Sequence, residues 1–367
     1  GYDSDIMAGM RWAAGLTVPG VPDNPNPARV LNISLGGVGT CNAAYQDTVS
    51  ELAAQKVLVV VSAGNETGPV EMPANCPGVL AVGGVRHIGT KVGYSSLGPE
   101  VAISAPAGNC VNTLGACLFS IQTTTNLGTT QPGASAYTDQ TNYNVGTSFA
   151  APQAAGVAAL MLSLNPALGT ADTIARIKQS ARAFPPTDNT IPVCPDVSTS
   201  GDSIGQCHCT TVTCGAGLLD AAAAVTAAAA PSVVIKPLDA LVMGTQIRLD
   251  GNDSTAIPGR VIRAWLWTLV SAPAGASLTA FDTPTTSLQA TTAGTYEVTL
   301  TVTDDLGVSA SHTTSLSVGS APAAAPASGG GGALDWIVLP GLAGLAGLAG
   351  LARRGRRHGL SGSANSG

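Results

Sequence analysis

The sequence predicts an α/β protein built on a parallel sheet with helices on both faces, then a small antiparallel β-sandwich and a C-terminal hydrophobic helix. Three observations carry this. Near-continuous apolar runs at 29–37, 57–66, 79–85 and 101–108 alternate with helical segments, the pattern of strands buried on both faces. From 231 to 318 the pattern becomes strict apolar/polar alternation, the mark of strands with one buried face. Near the C-terminus, LDWIVLPGLAGLAGLAGLA is followed by RRGRR.

The elements follow in order. Residues 3–14 read as a helix, with Ile6 and Met10 four apart and Asp3 or Ser4 as its cap. RVLNISLGG (29–37) is a strand ending in Gly-Gly, and 43–56 is a helix. VLVVVSAGNE (57–66) is a β-branched strand reaching Gly-Asn. In parallel sheets ligands sit beyond the carboxyl ends of strands, where SLGG and SAGN lie. The helix from about 148 to 164 is apolar nearly all round, which predicts a central, buried position. Residues 172–182 form another helix, and GAGLLDAAAAV (215–225) begins a further one. The alanine-rich stretch to Ala230 and then Pro231 marks a domain boundary, giving a first domain of 1–230.

In the sandwich (231–318), TYEVTLTVTD places Tyr296, Val298, Leu300 and Val302 on one face. SHTTSLSV follows a DDLG turn, and Trp265 and Trp267 alternate in a third strand. Residues 319–333 are Ala/Pro/Ser/Gly linker. Residues 334–357 hold the hydrophobic helix and its basic end, and 358–367 read as disordered. The apolar run is about 17 residues, the lower limit for a membrane span. Trp336 on one side and arginines on the other predict a cytoplasmic C-terminus. A Gly/Ala-rich disordered tail is the alternative.

Composition excludes some classes. Only 10% of residues are charged, against about a quarter in ordinary domains, so long solvated charged helices are not expected. The net charge of −6 gives no electrostatic basis for nucleic-acid binding. Eight cysteines, Cys41, Cys76, Cys110, Cys117, Cys194, Cys207, Cys209 and Cys214, fit disulfides and an oxidising compartment. CHCTTVTC (207–214) also admits a metal reading, but Cys207, His208 and Cys209 are too close for ordinary zinc-ligand spacing. No calcium ligand cluster can be assigned, and no cofactor is required for the chemistry described next. The chain opens on Gly1 with neither an initiator methionine nor a signal segment, and reads as the middle of a longer protein.

NVGTSFAAPQAAGVAALML (144–162) carries the chemistry. A serine at a helix start has a free backbone N–H and a favourable dipole beside it. Gly146 permits close approach, Thr147 can cap, and Pro152 falls within the first helical turn or so, where a missing N–H costs least. From these residues alone two readings are open: Ser148 as a nucleophile, which needs a base and oxyanion donors, and Ser148 as a plain N-cap.

GTSFAAPQAAG resembles the nucleophile signature of the subtilisin-like serine proteases, matching at Gly146, Thr147, Ser148, Ala150, Ala151, Pro152, Ala155 and Gly156. VVVSAGNE resembles the loop of the family's oxyanion asparagine, which falls on Asn65, flanked by Ala63 and Gly64. LNISLGG resembles the substrate-binding strand, at Ser34, Leu35 and Gly36. The similarity covers about residues 1–226 and implies a partial subtilisin-like sheet and a serine endopeptidase acting on protein or peptide substrates. Phe149 and Gln153 depart from the family's usual methionine and histidine. Similarity to secreted, disulfide-containing bacterial members implies a Cys41–Cys76 pair. Cys110 and Cys117 would close a small loop, and the remaining four cysteines allow three pairings.

The family's aspartate and histidine precede the serine in that chain order, and both should precede SLGG. No histidine does: His87, His208, His312 and His358 all follow Asn65. Asp3 and Asp5 fall in a helix resembling the one after the family's histidine segment. The expectation is a chain with the nucleophile and oxyanion half of the site and without its base half, inactive by itself, aggregation-prone, and with one side of the sheet open. A degenerate, non-catalytic domain presenting a binding module is the rival reading.

LDGNDSTA, AWLWTLV and GTYEVTLTVTDDLG resemble the PKD domain, an immunoglobulin-like sandwich, with polymer binding and a spacer role both open. The tail resembles the Gly-Gly C-terminal sorting signal of Gram-negative secreted proteins. That implies transient insertion in the inner membrane, cleavage near Gly329–Gly332 by a rhomboid-type protease, and release or surface display. A permanent anchor and a helix-packing face are the alternatives.

Overall fold

The computed structural model describes residues 2–109, 119–138, 145–197 and 205–320. The proposed Cys110–Cys117 pair and the C-terminal tail lie outside these residues.

The first region opens with helix α1 (Asp3–Ala13), strand β1 (Val30–Ile33), helix α2 (Ala43–Ala54) and strands β2 (Leu58–Ser62), β3 (Leu80–Val85) and β4 (Ile103–Pro106). The four strands form a parallel sheet in the order β1-β2-β3-β4. Their continuous apolar character has a simple cause: alternate residues feed two cores. Leu58, Val60, Leu80 and Val82 pack on one face with Ile103 and Met161. Val57, Val59, Val61, Val79 and Ala81 pack on the other with Met10, Tyr45, Val49 and Leu52. Burying each large aliphatic side chain stabilises by about 1.5–3 kcal/mol. Helices therefore cover both faces, as expected. Strand β1 is one edge of the sheet among the described residues, and β4, bridged through Ser104 to Leu218, is at the other end.

A small ribbon of β5 (Thr124–Asn126) and β6 (Ser135–Tyr137) precedes helix α3 (Thr147–Leu164), which is followed by α4 (Thr170–Gln179) and α5 (Ala221–Ala228). Three expectations are corrected here. The α1 cap is Tyr2 without a side-chain bond; Asp3 instead accepts from the Tyr45 hydroxyl at 3.1 Å. Helix α3 is buried on one face only: Ala150, Ala151, Ala154, Ala158 and Met161 are inaccessible, whereas Leu160 is 58% exposed. Residues 215–219 are not helical. They pair with β4 through Ser104 and with Arg182 through Leu218, and Gly215 (φ +82°) lies so close to β4 that a Cβ would stand 2.6 Å from the Ala102 carbonyl carbon. Asp220 then caps α5 by accepting from Ala223 N–H at 2.9 Å.

Two disulfides settle the C-terminal cysteines of this region: Cys194–Cys207 and Cys209–Cys214. Cys41–Cys76 is formed as expected. Among the described residues, the group of side chains suited to a metal is Cys194, Cys209 and Cys214. All three are disulfide-bonded, so they offer no thiolate.

At the boundary with the sandwich, Arg176 of α4 donates to the carbonyls of Ala227, Ala230 and Pro231. Beyond it, β7 (Lys236–Pro237), β8 (Gln246–Asp250), β9 (Ile262–Ser271), β10 (Ser277–Leu278), β11 (Thr285–Gln289), β12 (Gly294–Asp304) and β13 (Ser309–Val318) make two antiparallel sheets, β10-β11-β8-β7 and β13-β12-β9. Tyr296, Val298, Leu300 and Val302 are all inaccessible, as the alternation predicts, and pack with Trp267, Ile247 and Leu288. Arg260 forms an ion pair with the buried Asp304. Asp304 Oδ1 also accepts the N–H groups of Leu306 and Val308, which shapes the DDLG turn.

Candidate active site

The site lies at the carboxyl ends of β1 and β2, where the start of α3 meets both. Gly146 makes the entry turn with φ +145°, a conformation that favours glycine. Its N–H lies 2.9 Å from both the Ala107 carbonyl and the Tyr94 hydroxyl. The Tyr94 hydroxyl is within 2.6 Å of the Ala107 carbonyl and 2.9 Å of the Gly108 carbonyl. Burial pushes this phenol well above its usual range, so Tyr94 stays a neutral donor that fixes the turn.

Ser148 is not the cap of α3. The N-cap is Gly146, and no side chain caps the helix. Ser148 is the second helical residue, and its hydroxyl donates to the carbonyl of Ser34 at 3.2 Å. The Ser34 hydroxyl donates in return to the carbonyl of Ser148 at 2.9 Å. Pro152 explains the exchange. It is the sixth residue of α3 rather than a first-turn residue, so it removes the N–H that would normally bond the Ser148 carbonyl four residues earlier. Ser34 supplies the missing donor. Gln153 reaches the carbonyls of Pro106 and Phe149 at 2.7 and 2.8 Å, and so ties the same turn of the helix to β4.

Asn65 is oriented from the α3 side. Its Oδ1 accepts from Thr147 N–H at 3.0 Å and lies 3.0 Å from the Thr147 hydroxyl. That hydroxyl is also 3.2 Å from the Gly64 carbonyl and accepts from Gly64 N–H at 3.3 Å. The Thr147 backbone N–H can only donate, so it fixes that end of the amide as oxygen, which leaves Nδ2 as a donor in an exposed residue. Ser148, Asn65, Ser34 and Gly64 are thus brought together by Thr147, Gly146 and Ser34. Leu35 and Gly36 are exposed beside them, and Ala63 is buried beneath.

One residue escaped the sequence reading. Glu71 is only 8% exposed, and its Oε1 accepts Asn65 N–H at 2.8 Å and the Ser96 hydroxyl at 3.3 Å. A charge in a chain with so few, inside the apolar segment GPVEMPANC, was the available signal.

None of the described histidines is hydrogen-bonded to Ser148. His87 stacks on Phe119 with ring centroids 3.7 Å apart. His208 is buried and pairs with Asp188 at 3.0 Å, and His312 lies on β13.

The fold is thus of the α/β class, a parallel sheet against which a helix packs with Ser148 in its first turn, close to the loop that carries Asn65. The chain belongs to the subtilase family, whose signature matches residues 1–209, and residues 239–318 match the signature of a PKD domain. An extracellular protease of Xanthomonas campestris is 39% identical over 228 residues, covering 61% of this chain and 33% of that protein. An extracellular basic protease of Dichelobacter nodosus is 38% identical over 171 residues, covering 46% of this chain and 26% of that protein. A solved protease structure from Pseudoalteromonas arctica superposes with a TM-score of 0.51 at 34% identity, over 62% of this chain and 59% of that one. The chain therefore spans about a quarter to a third of the length of these two curated relatives.

Proposed function

We propose that the chain is the nucleophile and oxyanion portion of a secreted serine endopeptidase. Ser148 attacks the scissile carbonyl, and Asn65 Nδ2 with the Ser148 backbone N–H holds the oxyanion. The substrate lies extended along Ser34–Gly36 on one side and Ala63–Gly64 on the other, pairing with strand-end backbone. The observation that carries this reading is the anchoring of Asn65 Oδ1 by Thr147. It turns the amide donor end outward from the residue that precedes Ser148.

The base and its aspartate belong upstream of Gly1 in this reading. Two features left uncovered among the described residues support the placement: the outer edge of β1 and the exposed stripe of Gly156, Ala159, Leu160 and Ser163 on α3. Without the base, Ser148 is a weak nucleophile, so the chain alone is proposed to be inactive. The tail is proposed as a transient inner-membrane segment cut near Gly329–Gly332, giving release from a Gram-negative cell or surface display; mass spectrometry of the secreted C-terminus tests it. Structural calcium is left as an open addition, with no ligand set assigned.

The deciding experiment expresses the protein with its upstream sequence, as wild type and as Ser148→Ala, and assays cleavage of an unfolded protein. Loss of cleavage in Ser148→Ala to the residual level, about 10³–10⁴-fold over water, supports the reading. No cleavage by the folded, processed wild type overturns it in favour of a non-catalytic domain that presents the sandwich.

A further inference from the structure

We infer that Glu71 makes this protease selective for arginine or lysine at the residue whose carbonyl is cleaved. The inference rests on the endopeptidase reading above and names its substrate class.

The Glu71 carboxylate lies between the two proposed substrate walls, against Gly64 and near Gly36. Backbone pairing fixes it there. Glu71 N–H donates to the Ala63 carbonyl at 2.9 Å, and Met72 and Gly37 exchange bonds of 2.9 and 3.0 Å. The segment bearing Glu71 thus bridges the ends of both walls. The walls are glycine where they meet the carboxylate. A Cβ on Gly64 would lie 2.0 Å from Glu71 Oε1, and a Cβ on Gly36 would lie 3.6 Å from Oε2.

The two oxygens differ. Oε1 is used, by Asn65 N–H and the Ser96 hydroxyl. Oε2 has no hydrogen-bond partner among the described residues. Nor does Glu71 form an ion pair there, and the segments 34–38, 62–72 and 94–97 contain no lysine, arginine or histidine. Oε2 is not sealed from solvent, so a ligand can reach it, and a carboxylate held only by neutral donors lacks a charge partner. A cationic side chain entering the cleft supplies what is missing. Position follows from the Asn65 contact: the carboxylate that holds the Asn65 backbone adjoins the oxyanion site, so it meets the side chain of the residue whose carbonyl occupies that site. Gly36 and Gly64 put no side chain in the way of the carboxylate, and a carboxylate at the end of a substrate subsite is an effective selector of a long, unbranched cation. Exposed Glu66, next to Asn65, adds charge of the same sign near the mouth.

The test uses the protein with its upstream sequence. Cleavage sites in an unfolded protein are mapped by mass spectrometry, and kcat/KM is measured for matched peptides with arginine or leucine before the scissile bond. Glu71→Gln keeps an amide oxygen for Asn65 N–H and removes the charge. The expected result is Arg/Lys enrichment in wild type and at least a tenfold fall in the arginine-to-leucine ratio in Glu71→Gln. Ser148-dependent cleavage without that enrichment overturns the inference and leaves the protease reading intact. So does an unchanged ratio with both constants lowered together, which would make Glu71 a support for Asn65 alone. If Glu71→Gln fails to fold, the wild-type site map decides. Absence of any cleavage by folded wild type removes the inference together with the protease reading.

Discussion

Ser34 and Ser148 each donate a side-chain hydrogen bond to the other's carbonyl, at 2.9 and 3.2 Å. The exchange links the loop after β1 to the first turn of α3 across 114 residues of sequence. It exists because Pro152 leaves the Ser148 carbonyl without its helical donor. Ser34→Ala orphans that carbonyl, and the expected cost is about 1 kcal/mol. Thermal unfolding should show a fall of roughly 2–4 °C. An unchanged midpoint would mean that water replaces Ser34 without loss.

Asn65→Ala removes the proposed oxyanion donor and the acceptor of Thr147 N–H. With the upstream sequence present, kcat should fall about 10²–10³-fold with little change in KM. A purely higher KM would assign Asn65 to substrate binding instead.

Gly64→Ala should be among the most damaging single changes in the first region. The added methyl would stand 2.0 Å from Glu71 Oε1, and Gly64 already has φ +112°. Strain and the displaced carboxylate together predict a loss of about 2–4 kcal/mol. Denaturant unfolding of the variant reads it, and full stability would show that Glu71 swings away freely.

Cys41–Cys76 encloses a 35-residue separation that includes β2 and the Asn65 loop. The chain-entropy estimate for such a loop is about 3–4 kcal/mol. Replacing both cysteines by serine should lower the denaturant midpoint accordingly. A loss below about 1 kcal/mol would show residual order in the unfolded loop.

Acid should loosen the segment around His208. Thr190, through its hydroxyl and then its backbone N–H, and after it His208, hold the Asp188 carboxyl down to about 2, from 3.8. A depressed carboxylate contributes stability above its unfolded value, and that contribution is lost as pH falls from about 4 towards 2. Asp188 is solvent-exposed, so the effect is small. Asp188→Asn should flatten this part of the curve of thermal midpoint against pH; an identical curve would dismiss the contribution.

Local signals made part of this molecule readable. GTSFAAP, SAGN and SLGG are contiguous, so the sequence alone places Ser148, Asn65 and Ser34–Gly36. Uninterrupted apolar runs announce strands that feed two cores, and strict alternation announces Tyr296 to Val302. What stayed hidden depends on distant partners. GAGLL looks helical until β4 claims its backbone, and α3 looks buried all round although Leu160 is not. Glu71 shows locally only as a charge inside an apolar segment, because its contacts with Asn65 and Ser96 arise where separate segments converge. The pairing of Cys194, Cys207, Cys209 and Cys214 is likewise a matter of which loops meet.

Arg176 gives the module boundary a mechanical character that composition hides. Alanine followed by proline suggests a loose hinge, yet one guanidinium grips Ala227, Ala230 and Pro231 together. The last turn of α5 and the first residue of the sandwich are therefore fastened to α4 at a common point. A tug on the sandwich, as when it is held to a surface or a polymer, would be transmitted into α4 and its neighbour α3, the helix that carries Ser148, rather than absorbed by a slack tether.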